Sequence, residues 1–421
     1  MLFATTALYA QRDYEPTLQG YVTRIASSSE IDVNGTHIRI ESGTEFFIKA
    51  PHNKYTRIKA SDAKFRIGQS VEVFGKRHDK EHAIDAKEIN LCLRQPIKLS
   101  GSGVIDAIPP APVGSTPEGQ LLRADGYLIL VTKQTEQNFQ PPLTAASAFQ
   151  TNVWVNFHGS LRADGVLAAT EITFRPNVVK AREERVREQT EHDPAAVDPA
   201  AEQSSVSMLF NSVDPTKIPP HKDEKMQARV TAIGEKLVPK YQRDLPATDP
   251  TKVNFRFQVV EDKDAPITVA WPNGIVLVPN AAVERLKDDS QLAAVLAESI
   301  ARVMEKHPFG LQQYGAKRGA GALIGVGEGV FDPIGGAVNA ASYVYVLSHK
   351  KAFFCVSTPA QLEQSSRVSL SLMHDAGYDI DAAPLAWWLL ADEKSKGLDK
   401  TSLPFLSEYL YKFLGETWHS Q

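Results

Sequence analysis

The chain has 421 residues, more than one hydrophobic core usually organises, so two or three domains are expected. Hydrophobic residues at 43% and charged residues at 23% exclude a mostly disordered polymer, and 46 Lys plus Arg against 50 Asp plus Glu lack the basic excess of a dedicated nucleic-acid binder. No uncharged run reaches the roughly 18–20 apolar residues of a membrane span, and two cysteines, Cys92 and Cys355, cannot form a disulfide framework.

Residues 1–16 open with an uncharged, mostly apolar stretch, Met1 to Ala10, followed by Gln11-Arg12-Asp13. This reads as the remnant of a secretory signal without its basic start, and it predicts an exported, periplasmic protein. Residues 17–95 then read as short strands. Gly20-Tyr-Val22 begins an alternating run, and Asn34-Gly35 separates Ile31-Asp-Val33 from His37-Ile-Arg-Ile40, the pattern of a tight hairpin. Ser70 to Phe74 and Ala83 to Ile89 complete the unit.

The same order returns over residues 96–178. Val104 follows Val22 by 82 positions, and Val153 follows Val71 by 82. Asp125-Gly126 stands where Asn34-Gly35 stood, and Val166 to Ile172 closes the second unit as Ala83 to Ile89 closes the first. A matched order at a near-constant offset predicts a duplication: two small all-β domains, each a five- or six-stranded barrel of OB-like type. Such barrels often bind nucleic acids or sugars. These strands carry few aromatic and basic side chains, so the stacking-plus-phosphate pattern is missing and spacer or partner-docking modules are expected.

Residues 179–222 change character. Lys180 to Glu188 is mixed in charge and Asp193 to Ala201 is rich in Pro and Ala, which predicts a solvated short helix within a semi-stiff linker. From residue 223 to 421 the pattern is mainly helical. Val253 to Val260 alternates as a strand, and Ile275-Val-Leu-Val278 follows the turn Pro272-Asn273-Gly274. Asp289 to His307 reads as a helix capped by Asp289 or Ser290, with Leu292, Val295, Leu296, Ser299, Ile300 and Val303 on one broad face.

The order strand, Pro-Asn-Gly turn, Ile-Val-Leu-Val strand, then Leu292-Ala-Ala-Val-Leu-Ala297 helix resembles HtpX- and Oma-type zinc metallopeptidases (family M-48). Met373-His-Asp-Ala-Gly-Tyr-Asp379 is similar to the end of a later segment of that family. The resemblance runs from about Lys225 to Leu390 and implies a zincin-like α+β fold. It also implies which positions would carry the chemistry. Glu298 stands at the first ligand, Ser299 at the general base and Arg302 at the second ligand. Leu362 stands at the third ligand and Ser366 at the family aspartate, while Glu363 is a carboxylate one place out of register. A catalytic zinc needs three protein donors and a water, and a carboxylate to take that water's proton. Arginine keeps its charge and repels a metal. Glu298 and Arg302 are instead placed for an i, i+4 ion pair, worth about 0.2–0.5 kcal/mol if exposed.

His307, His349, His374 and His419 form no i, i+3 or i, i+4 pair with one another and read as packing or surface histidines. The glycine-rich stretch Gly319 to Gly336 lacks a phosphate-loop ending and reads as a segment between helices. The expectation is a metallopeptidase-like protein without catalysis, serving binding, regulation or assembly, with no cofactor. Two alternatives stand beside it. One is an active zinc endopeptidase with an atypical ligand set; the other is a structural envelope protein working through its β repeats. In the resembling peptidases substrate lies along a sheet edge beside the metal helix. That implies Ile275, Val276, Leu277 and Val278 as a groove for an extended peptide or another envelope protein, floored by Glu298 and Arg302. The opposing expectation is a groove filled by side chains or sealed by Gly319 to Gly336.

Overall fold

The computed structural model describes residues 15–93, 97–110, 119–197, 219–261, 268–307, 358–391 and 403–419. Residues 1–14 of the candidate signal remnant, His349, Cys355 and the Gly319 to Gly336 stretch lie outside the described residues.

The first unit contains β1 (Leu18–Ser27), β2 (Glu30–Val33), β3 (Thr36–Ala50), β4 (Lys54–Ile58), β5 (Ser70–His78) and β6 (Ala83–Cys92). Asn34 and Gly35 have φ of 47° and 77°, the mirror-image turn that matches strand twist in a two-residue hairpin. The strands close in the order β1-β2-β3-β6-β5-β1, with β3 and β6 parallel and all other neighbours antiparallel, and β4 lies outside the ring against β3. Alternate side chains fill the barrel, including Val22, Ile31, Val33, Ile38, Val71, Val73 and Ile89.

The second unit repeats that topology with β7 (Ile97–Ala107), β8 (Gly119–Ala124), β9 (Tyr127–Thr132), β10 (Glu136–Phe139), the single-turn helix α1 (Ala145–Ala148), β11 (Val153–Leu161) and β12 (Leu167–Pro176). Its ring is β7-β8-β9-β12-β11-β7, again with one parallel closure, β9 with β12. Asp125 and Gly126, with φ of 53° and 72°, make the equivalent turn. Both units are therefore closed five-stranded barrels; the extra strand β4 lies antiparallel on β3 in the first, whereas β10 pairs parallel with β12 in the second. The 82-residue spacing keeps strand identity throughout, but not face. Val22 lies opposite Val33 inside the first barrel. Val104 lies opposite Trp154, while the neighbouring Gly103 faces the fully buried Val155. Opposed residues share a face, so Val104 has slipped to the outside. It remains 2% exposed because helices cover that side.

Of the segment expected to be a solvated linker, the described residues to 197 include the expected short helix and make contacts with the rest of the fold. Its helix α2 (Ala181–Thr190) buries Glu183, whose carboxylate takes Arg187 at 3.0 Å and Lys306 at 3.1 Å. Beyond it, Glu191 accepts from Arg256 at 2.6 Å and from Asn273 at 2.9 Å, tying the strap to the Pro272-Asn273-Gly274 turn.

The C-terminal region holds α3 (Glu224–Leu237), α4 (Lys240–Asp244), β13 (Arg256–Val260), β14 (Val269–Ala270), β15 (Ile275–Pro279), α5 (Asn280–Arg285), α6 (Asp289–Met304), α7 (Pro359–Asp375), α8 (Ala382–Leu390) and α9 (Phe405–Phe413). Asp288, rather than Asp289 or Ser290, caps α6, its carboxylate accepting from the amides of Ser290 and Gln291. Every residue from Leu292 to Met304 is buried, so α6 is enclosed on all sides rather than along one face. No described helix is long and apolar enough to cross a membrane. One hydrophobic cluster runs from the second barrel through α3, β15, α6, α7 and α8. Both barrel turns dock on these helices: a Cβ at Gly35 would strike the Trp388 ring of α8, and one at Gly126 would strike Arg367 of α7.

Candidate functional site

Glu298 and Arg302 sit one turn apart in the second half of α6, Arg302 in its last turn, where a long apolar run forces both inward. Arg302 Nε donates to Glu298 Oε1 at 2.6 Å, with the two side chains 6% and 0% exposed. The ion pair expected from their spacing is thus present, but it is buried rather than solvated. The same Glu298 oxygen accepts from Ser365 Oγ on α7 at 2.6 Å, while Glu298 Oε2 has no hydrogen-bond partner among the described residues. Removing one member of a buried pair strands the other charge, at a cost of about 3–5 kcal/mol.

Ser299, at the position implied for a general base, is fully buried and shares a 2.6 Å hydrogen bond with Thr268, while its hydroxyl donates to the Val295 carbonyl at 3.1 Å. A neutral hydroxyl is too weak a base to take a proton from water at neutral pH, so Ser299 supplies no general base. Ser366 is fully buried, and its hydroxyl oxygen makes no hydrogen bond among the described residues. Leu362 is half-buried one turn before Ser366 and brings no donor atom for a metal.

Burial pushes the Glu363 carboxyl above the usual range, opposed by Arg367 and Lys412, so it faces the α9 side. Ser365, about 200° further round α7, is the residue that reaches Glu298. Sequence reasoning missed Ser365 and Thr268; both partners lie in neighbouring elements and leave no local pattern. Among the described residues no three His, Cys, Asp or Glu side chains converge as a metal cluster would require.

The groove expectation for Ile275, Val276, Leu277 and Val278 is corrected. β15 is the middle strand of a three-stranded sheet, parallel to β13 and antiparallel to β14. Val276 pairs with both Phe257 and Ala270, and Leu277 with both Gln258 and Val269. All four residues are buried and the centre of the strand is paired on both sides, so among the described residues Val276 and Leu277 offer no open edge for an added peptide. The Glu298–Arg302 pair likewise lies within the core and does not floor an open groove.

The histidines pack or decorate. His307 is 4% exposed, its Nε2 is 3.0 Å from Gln364 Oε1, and burial drives its titration down to about 4. His374 lies over Trp418 at the surface and His419 pairs with Asp381 at 2.7 Å.

Residues 19–90 match a family model described as a domain of unknown function, DUF5666. That match begins within β1 and ends within β6, so it covers the first barrel and stops short of the second barrel and the helices. No curated protein matches the chain.

Proposed function

We propose that this protein is a degenerate relative of the HtpX/Oma-type metallopeptidases. Its helical domain keeps a zincin-like frame without catalysis and serves binding, regulation or assembly in the cell envelope. The carrying observation is the buried Glu298–Arg302 pair, completed by Ser365, at the positions the resemblance assigns to metal ligands. Support for the frame comes from α7, the helix bearing Leu362 and Ser366, which packs along α6 and delivers a side chain to Glu298. Where the family places nitrogen and carboxylate donors around an ion, this chain supplies one carboxylate, already engaged by a guanidinium, together with two hydroxyls and a leucine. Export is inferred from the apolar N-terminal stretch.

Elemental analysis of the purified full chain, together with a casein-degradation assay, tests the reading. The expected result is no stoichiometric zinc and no cleavage of unfolded protein. One equivalent of tightly held zinc with chelator-sensitive proteolysis would overturn it in favour of an active endopeptidase.

A further inference from the structure

The boundary between the second barrel and the helices is unusually rich in buried charge. Arg123 of β8 bonds Asp106 of β7 at 2.8 Å and Asp375 of α7 at 3.0 Å. Arg367 of α7 returns the exchange, bonding Asp125 of the β8–β9 turn at 2.6 Å and the Tyr409 hydroxyl at 2.6 Å. Two guanidiniums therefore hold three carboxylates. A fourth carboxyl, Glu305 at the end of α6, is 5% exposed and has no cation bonded to it among the described residues.

Glu305 lies against the barrel backbone. A Cβ at Gly103 would come within 3.0 Å of its Oε2 and 3.2 Å of its Oε1, a contact tight enough that the carboxyl would have to give by a few tenths of an ångström. Gln364 of α7 binds both sides of the seam, its Nε2 donating to the Ser102 carbonyl at 2.6 Å and to Glu305 Oε2 at 3.1 Å. The groups facing Glu305 are Asp106 from β7, Asp125 from the barrel turn, Arg367 from α7, Tyr241 from α4 and, through Gln364, the neutral His307. We propose that this seam is a proton-controlled latch, in which protonated Glu305 holds the second barrel against α6 and α7 and loss of that proton loosens them.

The charge balance gives the reason. Ionised Glu305 would add an unpaired negative charge beside Asp106 and Asp125 in a site closed to water, and hydrating the seam is the available relief. Burial first, then Asp125 and Asp106, hold this carboxyl well above the usual range. A carboxyl titrating higher when closed than when open binds its proton in the closed state, so closure weakens as pH rises between the two titration points. His307 acts in the opposite sense: it titrates at about 4 when closed, so its destabilising protonation is confined to acid pH.

Hydrogen exchange of the full chain, followed on peptides covering residues 99–106 and 359–375 from pH 5 to 9 and corrected for chemical exchange, reads the seam directly. Wild-type protection should fall by up to about tenfold per pH unit within the window. Glu305→Gln keeps His307, Asp106 and Asp125, and should show a shallower fall over that window and better protection at its upper end. An infrared difference spectrum of wild type minus Glu305→Gln should show a protonated carboxyl band at pH 6. If the variant does not fold, the wild-type carboxyl band is followed on glutamate-labelled protein over the same pH range. Parallel protection profiles for the two proteins, or Glu305 ionised at pH 6, would overturn the proposal.

Discussion

Replacing Arg302 by methionine removes the positive member of the α6 ion pair while keeping an unbranched side chain of similar reach. Glu298, fully buried, then keeps only Ser365 as a donor to its charged oxygen, and its Oε2 starts without a hydrogen-bond partner among the described residues. The expected loss is about 3–5 kcal/mol, since a buried carboxylate without its cation bears the desolvation cost alone. Glu298→Met removes the carboxylate that Arg302 Nε donates to and should also destabilise. The double variant should recover most of both losses, landing near wild type or above it, because an apolar pair fits a core already lined by Leu292, Val295 and Ile300. Ser365 is not orphaned by that change, as its hydroxyl also reaches the carbonyls of Gln361 at 2.9 Å and Leu362 at 3.2 Å. Guanidinium unfolding of all four proteins, followed by the helical circular dichroism signal, closes the cycle. An exposed i, i+4 pair would give only about 0.2–0.5 kcal/mol. Single variants that each cost less than about 1 kcal/mol, or losses that simply add, would refute the buried-pair argument.

Two further outcomes follow from the packing. Gly126→Ala places a Cβ 2.6 Å from the Arg367 backbone at a φ of +72°, and Gly35→Ala places one 2.4 Å from the Trp388 ring at +77°. Both should destabilise by about 1–3 kcal/mol or more, Gly126→Ala the more, because backbone yields less than a ring. Gly43→Ala, with nothing within 4 Å of its Cβ, should change stability by less than about 0.5 kcal/mol in the same unfolding assay. Burial and then the Glu72 carboxylate push the Cys92 thiol up to about 11, so in a Cys355→Ser background its alkylation at pH 8 should run on the order of 100-fold below a free cysteine; a rate equal to that of a free thiol would contradict the half-buried placement.

Local chemistry was legible in the sequence wherever a few neighbouring residues decide it. Asn34-Gly35 and Asp125-Gly126 specify two-residue turns because positive φ is cheap there, and period-2 alternation set the strands of both barrels. The i, i+4 spacing of Glu298 and Arg302 made their pairing predictable, since one helical turn fixes the distance. Tertiary structure decided what depends on distant partners. Ile275 to Val278 is apolar at every position, a composition compatible with an edge or a centre. It became the centre because a two-residue strand, β14, pairs on its second side, and so short a strand carries no periodicity to read. The outward turn of Val104, the anchoring of the charged strap through Lys306 and Arg256, and the seam around Glu305 have the same origin. Arg123 meets Asp375 across 252 positions and Arg367 meets Asp125 across 242, distances at which only the packed fold, and no pattern along the chain, brings charges together.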